Sequence, residues 1–204
     1  MPHNKLYPDG AIEGLLLTDF VSAATRAVLE ERSVEKDVAP AYLDAISFRV
    51  LILLCRRLLA LGDEPLATRI AAAIDARLAG DQSNGWRYQQ MPGDRDTYKL
   101  ALRVIDEMAR KNHHAIFADL AEKQQLTLMQ QLQKGEAGGD WSGVSAARFF
   151  EELLCEVTEL FYSYPYAQNE IGFVGMADAH GWKMIGLKEQ ETPEPPEPSP
   201  LPHP

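Results

Sequence analysis

Two adjacent histidines (His113, His114), three glutamates at helical spacing (Glu152, Glu156, Glu159) and two cysteines (Cys55, Cys155) are the residues of this chain that could do chemistry. Adjacent histidines on a helix point in different directions, so they do not converge on one ion or one proton. At the end of a segment with Arg110 and Lys111 they read as helix-terminal, capping residues. The glutamates fall at i, i+4 and i+7, on one helix face, and a solvated acidic stripe is the expected reading. A carboxylate-bridged metal centre in a helical bundle needs Glu-x-x-His on two helices. None of the histidines at 3, 113, 114, 180 and 203 follows an acid by three residues. His-x-x-x-His and Cys-x-x-Cys are also absent. Both thiols sit within apolar helical patterns; a disulfide stays open, but two buried helix-face thiols are the expectation.

The glycines at 172, 175, 181 and 186 do not form G-x-G-x-x-G, and neither G-K-[ST] nor G-x-S-x-G occurs. No catalytic, cofactor-binding or metal-binding residue is therefore assigned. With 204 residues and 46% hydrophobic content, the chain suffices for one well-buried domain. A formal charge of −10 argues against a nucleic-acid or anionic-membrane binder, which would need a cationic surface. Arg56-Arg57 followed by LLALG imitates a twin-arginine signal but lies deep in a helical segment, as its polar edge. The longest apolar run, Val50–Cys55, is six residues, far below the ~20 that span a bilayer. The first ten residues contain no signal-like apolar region. A cytoplasmic location is expected, or a periplasmic one if the chain is exported with a partner or has lost a signal.

The elements that would position these residues are all helical. A first helix is predicted from about Ala11 to Arg32, with Thr18-Asp19 as an internal start. A second opens at Pro40 and runs to Gly62; its apolar residues surround the axis between Val50 and Leu54, so it should be the central, most buried one. A third spans Glu64 to Ala79 with Asp63 as N-cap and Pro65 in its first turn. After a loop carrying Trp86 and Tyr88, a fourth starts near Asp94, with Tyr98, Leu102, Ile105 and Met108 at helical spacing, and ends at His113-His114. A fifth covers Ala115 to Gly135 with a break near Asp119. A sixth runs from Val144 to Tyr162 and is ended by Pro165. No segment alternates as a strand does. The prediction is an all-α, single-domain bundle of about six helices over residues 11–187. It is preceded by an extension over 1–10 and followed by a Pro/Glu tail over 188–204 that has nothing apolar to bury.

The closing segment differs from the rest. Aromatic residues number 17 in the chain, and eight of them lie between Phe149 and Trp182, interleaved with glycines. Aromatics so placed either lid the core or meet another protein. The stretch ELFYSYPYAQNEIGFVGMADAHGWKMIGL resembles the ending of the gluconate 2-dehydrogenase subunit 3 family. The resemblance rests on Phe161-Tyr162 with Pro165, on Glu170-Ile171-Gly172-Phe173 with Gly175, and on Gly181-Trp182-Lys183 with Ile185-Gly186. Upstream, TYKLALRVIDEMARKNHHAIFADLAEKQQLTLMQQLQKGE is similar to the family's Phe-x-x-Leu and Gln-Gln helix arrangement. The likeness covers roughly Asp94 to Leu187.

That resemblance implies a non-catalytic small subunit, itself free of cofactor. It would bind, stabilise and help mature a large FAD-dependent sugar or glycoside dehydrogenase of the glucose-methanol-choline type. A cytochrome c subunit is a further partner it allows for. The implied contact residues are Tyr162, Pro165, Tyr166, Glu170, Ile171, Gly172, Phe173, Gly175, Gly181, Trp182 and Lys183, with Trp182 at the centre. Two other classes stand beside it: a small helical enzyme using His113, His114 or the Glu152 stripe, and a free-standing helical ligand-binding module.

Overall fold

The run Val50–Cys55 has no polar face to give to water, and the helix that carries it is buried on every side over those six residues. The structure, a computed structural model, describes residues 10–34, 39–62, 65–83, 91–173, 184, 186–187 and 189–190. Most of the N-terminal extension, Asp63, the loop with Trp86 and Tyr88, and the tail from residue 191 lie outside them. Among the described residues there are eight α-helices and no strand: α1 (Ala11–Leu16), α2 (Ala23–Ser33), α3 (Ala45–Leu58), α4 (Leu66–Ala79), α5 (Asp94–His113), α6 (Glu122–Lys134), α7 (Ala146–Tyr162) and α8 (Pro165–Ile171). A 3-10 turn, Phe117–Asp119, precedes α6. The all-α expectation holds, and the chain resolves into two compact units.

The larger unit, Glu35–Leu160, is built on α3, against which α4 and α5 pack. Pro40 does not open α3. The buried Asp75 of α4 accepts hydrogen bonds from the amides of Ala41, Tyr42 and Leu43, which holds that stretch as a turn and postpones the helix. Asp44 then caps α3, accepting from the Ile46 and Ser47 amides at 2.9 Å each. The Ser47 amide, with help from the Ser47 hydroxyl and the Ile46 amide, lowers the Asp44 pKa. Farther along, Asp106 of α5 accepts from the Phe117 amide at 2.8 Å, and Gln125 of α6 donates to the Phe117 carbonyl at 3.0 Å. Both backbone groups of the buried Phe117 are thereby satisfied, which places the 3-10 turn where a break was predicted. Gly135, left-handed at φ 70°, stops α6 as expected.

The smaller unit comprises Met1–Val34 with Phe161–Pro204. The long first helix of the prediction is two helices. The chain turns between Leu16 and Ala23 because Thr18 bonds the Leu15 carbonyl and Ser22 caps α2 through the Thr25 amide. Arg26 fastens the turn, donating to the carbonyls of Thr18 at 2.9 Å and Val21 at 3.2 Å.

Candidate partner interface

Pro165 does end α7, and it also begins α8, standing at the first helical position where its missing N–H costs nothing. Gly172, left-handed at φ 66°, ends α8 after seven residues, so the chain makes two turns around a short aromatic helix. α8 buries Pro165, Ala167 and Gln168. Its other side, with the flanking residues, leaves Tyr162, Tyr166, Ile171 and Phe173 exposed at 43%, 42%, 54% and 49%. Phe161 sits under this patch, edge-on to Tyr162 at 5.1 Å and to Tyr166 at 6.5 Å between ring centroids.

The patch is held from beneath by α1 and α2, which pack on α8. Gly10, at the start of α1, offers no side-chain cap. Asn169 serves in its place: its Oδ1 accepts from the Ile12 amide at 3.0 Å, and its Nδ2 donates to Glu13 at 2.8 Å. Arg32 of α2 donates to the Ser163 carbonyl at 3.0 Å. Of twelve exposed large apolar side chains among the described residues, three (Ile46, Leu126, Leu154) belong to the larger unit and the remaining nine to the smaller. Apolar surface is thus concentrated on the smaller unit, where Leu17 alone is 87% exposed.

Of the residues predicted to meet a partner, Tyr162, Tyr166, Glu170, Ile171 and Phe173 are exposed on α8 or immediately beside it. Pro165 is buried and shapes the turn instead, and Gly172 ends the helix. Gly175, Gly181, Trp182 and Lys183 lie outside the described residues.

The groups that could do chemistry have other employments. Glu156 is not part of a solvated stripe: it is 5% exposed and clamped by Arg77, whose Nε and Nη2 reach it at 2.6 and 2.9 Å. The Tyr98 hydroxyl donates to the same carboxylate at 2.5 Å, and Arg77 Nη1 also reaches Asp94 at 2.7 Å and the Gln82 carbonyl at 2.6 Å. The cluster ties α4, α5 and α7 together. Burial and the adjacent Glu156 charge push the Tyr98 phenol well above its ordinary pKa. Burial opposes the Arg77 charge, but Glu156 and Asp94 more than offset it and raise the guanidinium. Glu152, beside them, is also raised, by burial first and then by Asp94 and Glu156. Arg77, Glu156, Tyr98 and Asp94 are bonded to one another, and neither Tyr98 nor Glu156 is open to a substrate.

Cys55 is buried, and burial with the Glu156 charge pushes its thiol far up. Cys155 is exposed, against expectation, because it lies off the stripe of Phe149, Leu153 and Val157. His114 adopts the left-handed conformation that closes α5. His113 Nδ1 faces the Gln124 side-chain amide at 3.3 Å, the amide's oxygen being taken by the Ala121 N–H. Both histidines are helix-end residues, as expected. A cleft of about 560 Å³ between the end of α3 and the start of α6 is lined by Arg56, Arg57, Leu61, Glu122 and Leu126. Arg57 in it is already held by Gln125 at 2.8 Å and Glu122 at 3.2 Å. Among the described residues no group of three His, Cys, Asp or Glu is placed to hold a metal ion, and no helix is long and apolar enough to cross a membrane.

Sequence reasoning missed the clamp on Glu156, although a signal existed. Glu156 falls seven residues after Phe149, and Arg77 seven after Ile70, so each sits on its helix's apolar stripe. Asn169 as a cap for a helix far away in sequence had no local signal.

A family model described as gluconate 2-dehydrogenase subunit 3 matches residues 46–188. It spans α3 to α8, and so extends the likeness back through α3 and α4, leaving α1 and α2 outside. Comparison with the curated proteins and with the solved structures gave no match. With more than half of its length matched, and with the aromatic patch inside the matched segment, the chain belongs to the gluconate 2-dehydrogenase subunit 3 family.

Proposed function

We propose that this chain is the cofactor-free accessory subunit of a large FAD-dependent dehydrogenase of the glucose-methanol-choline type, acting on a sugar or glycoside hydroxyl. It binds the folded flavoprotein through the patch of Tyr162, Tyr166, Ile171 and Phe173, and so stabilises that fold by mass action. Hydride transfer then belongs to the larger partner. The observation that carries this reading is the exposed aromatic patch within the family's closing motif, in a chain whose buried ionisable cluster is consumed by its own contacts.

Affinity capture of the chain from its native cell tests the reading. The expected product is a yellow complex with a much larger subunit, whose flavin stays with that subunit on separation. A colourless chain that oxidises sugars by itself would refute it. Truncating an aromatic anchor at an interface costs ~2 kcal/mol, so Tyr166→Ala with Phe173→Ala should weaken partner binding by at least ~30-fold. Circular dichroism should show unchanged helicity in the variant. Trp182→Ala tests the centre of the closing motif in the same way.

A further inference from the structure

Among the described residues of the smaller unit, the fully exposed charged side chains are all acidic. They are Glu13, Asp19, Glu30, Glu31, Glu170 and Glu189, against two cations, Arg26 and Arg32. Both cations are engaged by carbonyls: Arg26 by those of Thr18 and Val21, Arg32 by that of Ser163. Several of these acids are also located. Asn169 holds Glu13 at 2.8 Å, which sets Glu13 beside the stretch of α8 that carries Glu170. The bond from Arg32 to Ser163 brings the Glu30-Glu31 end of α2 to the Tyr162–Tyr164 turn.

We infer that the aromatic patch and the acids near it take a protein surface of opposite build, an apolar patch bordered by Lys and Arg, and that charge steers the encounter. The inference rests on the accessory-subunit reading, with the large dehydrogenase subunit as the occupant. A second copy of this chain would bring these acids against their own kind, and an anionic bilayer or nucleic acid would be repelled for the same reason. Exposed charges act over a Debye length of ~10 Å at 0.1 M salt, so the effect belongs to the association rate and is screened by salt.

The test is the rate at which the purified flavoprotein subunit associates with the immobilised full chain, at low and at high sodium chloride. The rate should fall by ~10-fold or more across that range, as for electrostatically steered pairs. Glu170→Lys and Glu30→Lys, both exposed near helix C-termini where a cation is tolerated, should each slow association several-fold at low salt. At high salt Glu30→Lys, which lies outside the aromatic patch, should match the unaltered chain. Circular dichroism checks that both variants are folded. Binding with a flat salt dependence, or association at low salt made faster by the lysines, overturns this inference and leaves the accessory-subunit reading standing. Absence of binding at every salt overturns that reading, and the inference with it.

Discussion

Replacing Glu156 by alanine should be among the most damaging single changes in the larger unit. The carboxylate side chain is 6% exposed and that of Arg77 14% exposed, so water cannot replace the lost partner. Removing it strands the Tyr98 hydroxyl, which is itself buried, and two of the guanidinium's donors. Breaking one side of a buried ion pair costs ~3–5 kcal/mol. Asp94 at 2.7 Å and the Gln82 carbonyl still hold Arg77 Nη1, which puts the expected loss at the lower end, ~3 kcal/mol. Glu156→Gln keeps the shape but only one acceptor oxygen, its amide nitrogen facing a donor, and loses the charge assistance, so a loss of ~1–3 kcal/mol is expected. The measurement is urea unfolding followed by far-ultraviolet circular dichroism, beside Glu159→Ala, an exposed position on the same helix. The exposed control should change by no more than ~0.5 kcal/mol. If Glu156→Ala unfolds at the same urea concentration as Glu159→Ala, the clamp contributes nothing and the account of how α4, α5 and α7 are joined fails.

Glu152 supplies a pH test. Its pKa in the folded chain lies above the ordinary 4.5 because of burial, Asp94 and Glu156, and its buried Oε1 has no hydrogen-bond partner among the described residues. The folded state therefore prefers the protonated form; stability is fully present below 4.5 and is lost as pH rises through the raised value. Glu152→Gln should accordingly be more stable than the unaltered chain at pH 8, with the difference shrinking toward zero in acid; urea midpoints across pH check both ends. Gly139 stands at φ 106°, and an added Cβ would come within 2.8 Å of Val104 Cγ1. Gly139→Ala should thus cost ~1–3 kcal/mol through strain and overpacking, seen as a lowered thermal midpoint. Asn169→Ala should cost ~1 kcal/mol, the usual loss of a helix cap, and amide exchange should quicken in α1 rather than in α3.

The helices were legible because their signals are local. The spacing of Tyr98, Leu102, Ile105 and Met108, the glycine after Lys134 and the proline after Tyr164 all act within a few residues, through sterics and hydrogen bonds the neighbouring chain provides. The family was legible for the same reason, its closing motif being a run of contiguous residues. Where the prediction and the structure part, a distant group won a local contest. Asp75 took the amides of residues 41–43 and delayed α3 past Pro40. Thr18, Ser22 and Arg26 together outweighed the helix propensity of one long N-terminal segment.

Side-chain partnership across the fold was not legible. An acid at helical spacing looks the same in sequence whether it meets water, as Glu159 does, or Arg77, as Glu156 does. The cost of burying a carboxylate is met only by a guanidinium brought from α4 and a phenol from α5, and their arrival is a property of packing. The aromatic patch has the same history. Its composition is written in the sequence from Phe161 to Phe173. Which rings are buried and which remain exposed was decided by the turn at Pro165 and by Asn169 and Ser163, through which α1 and α2 bond to the segment.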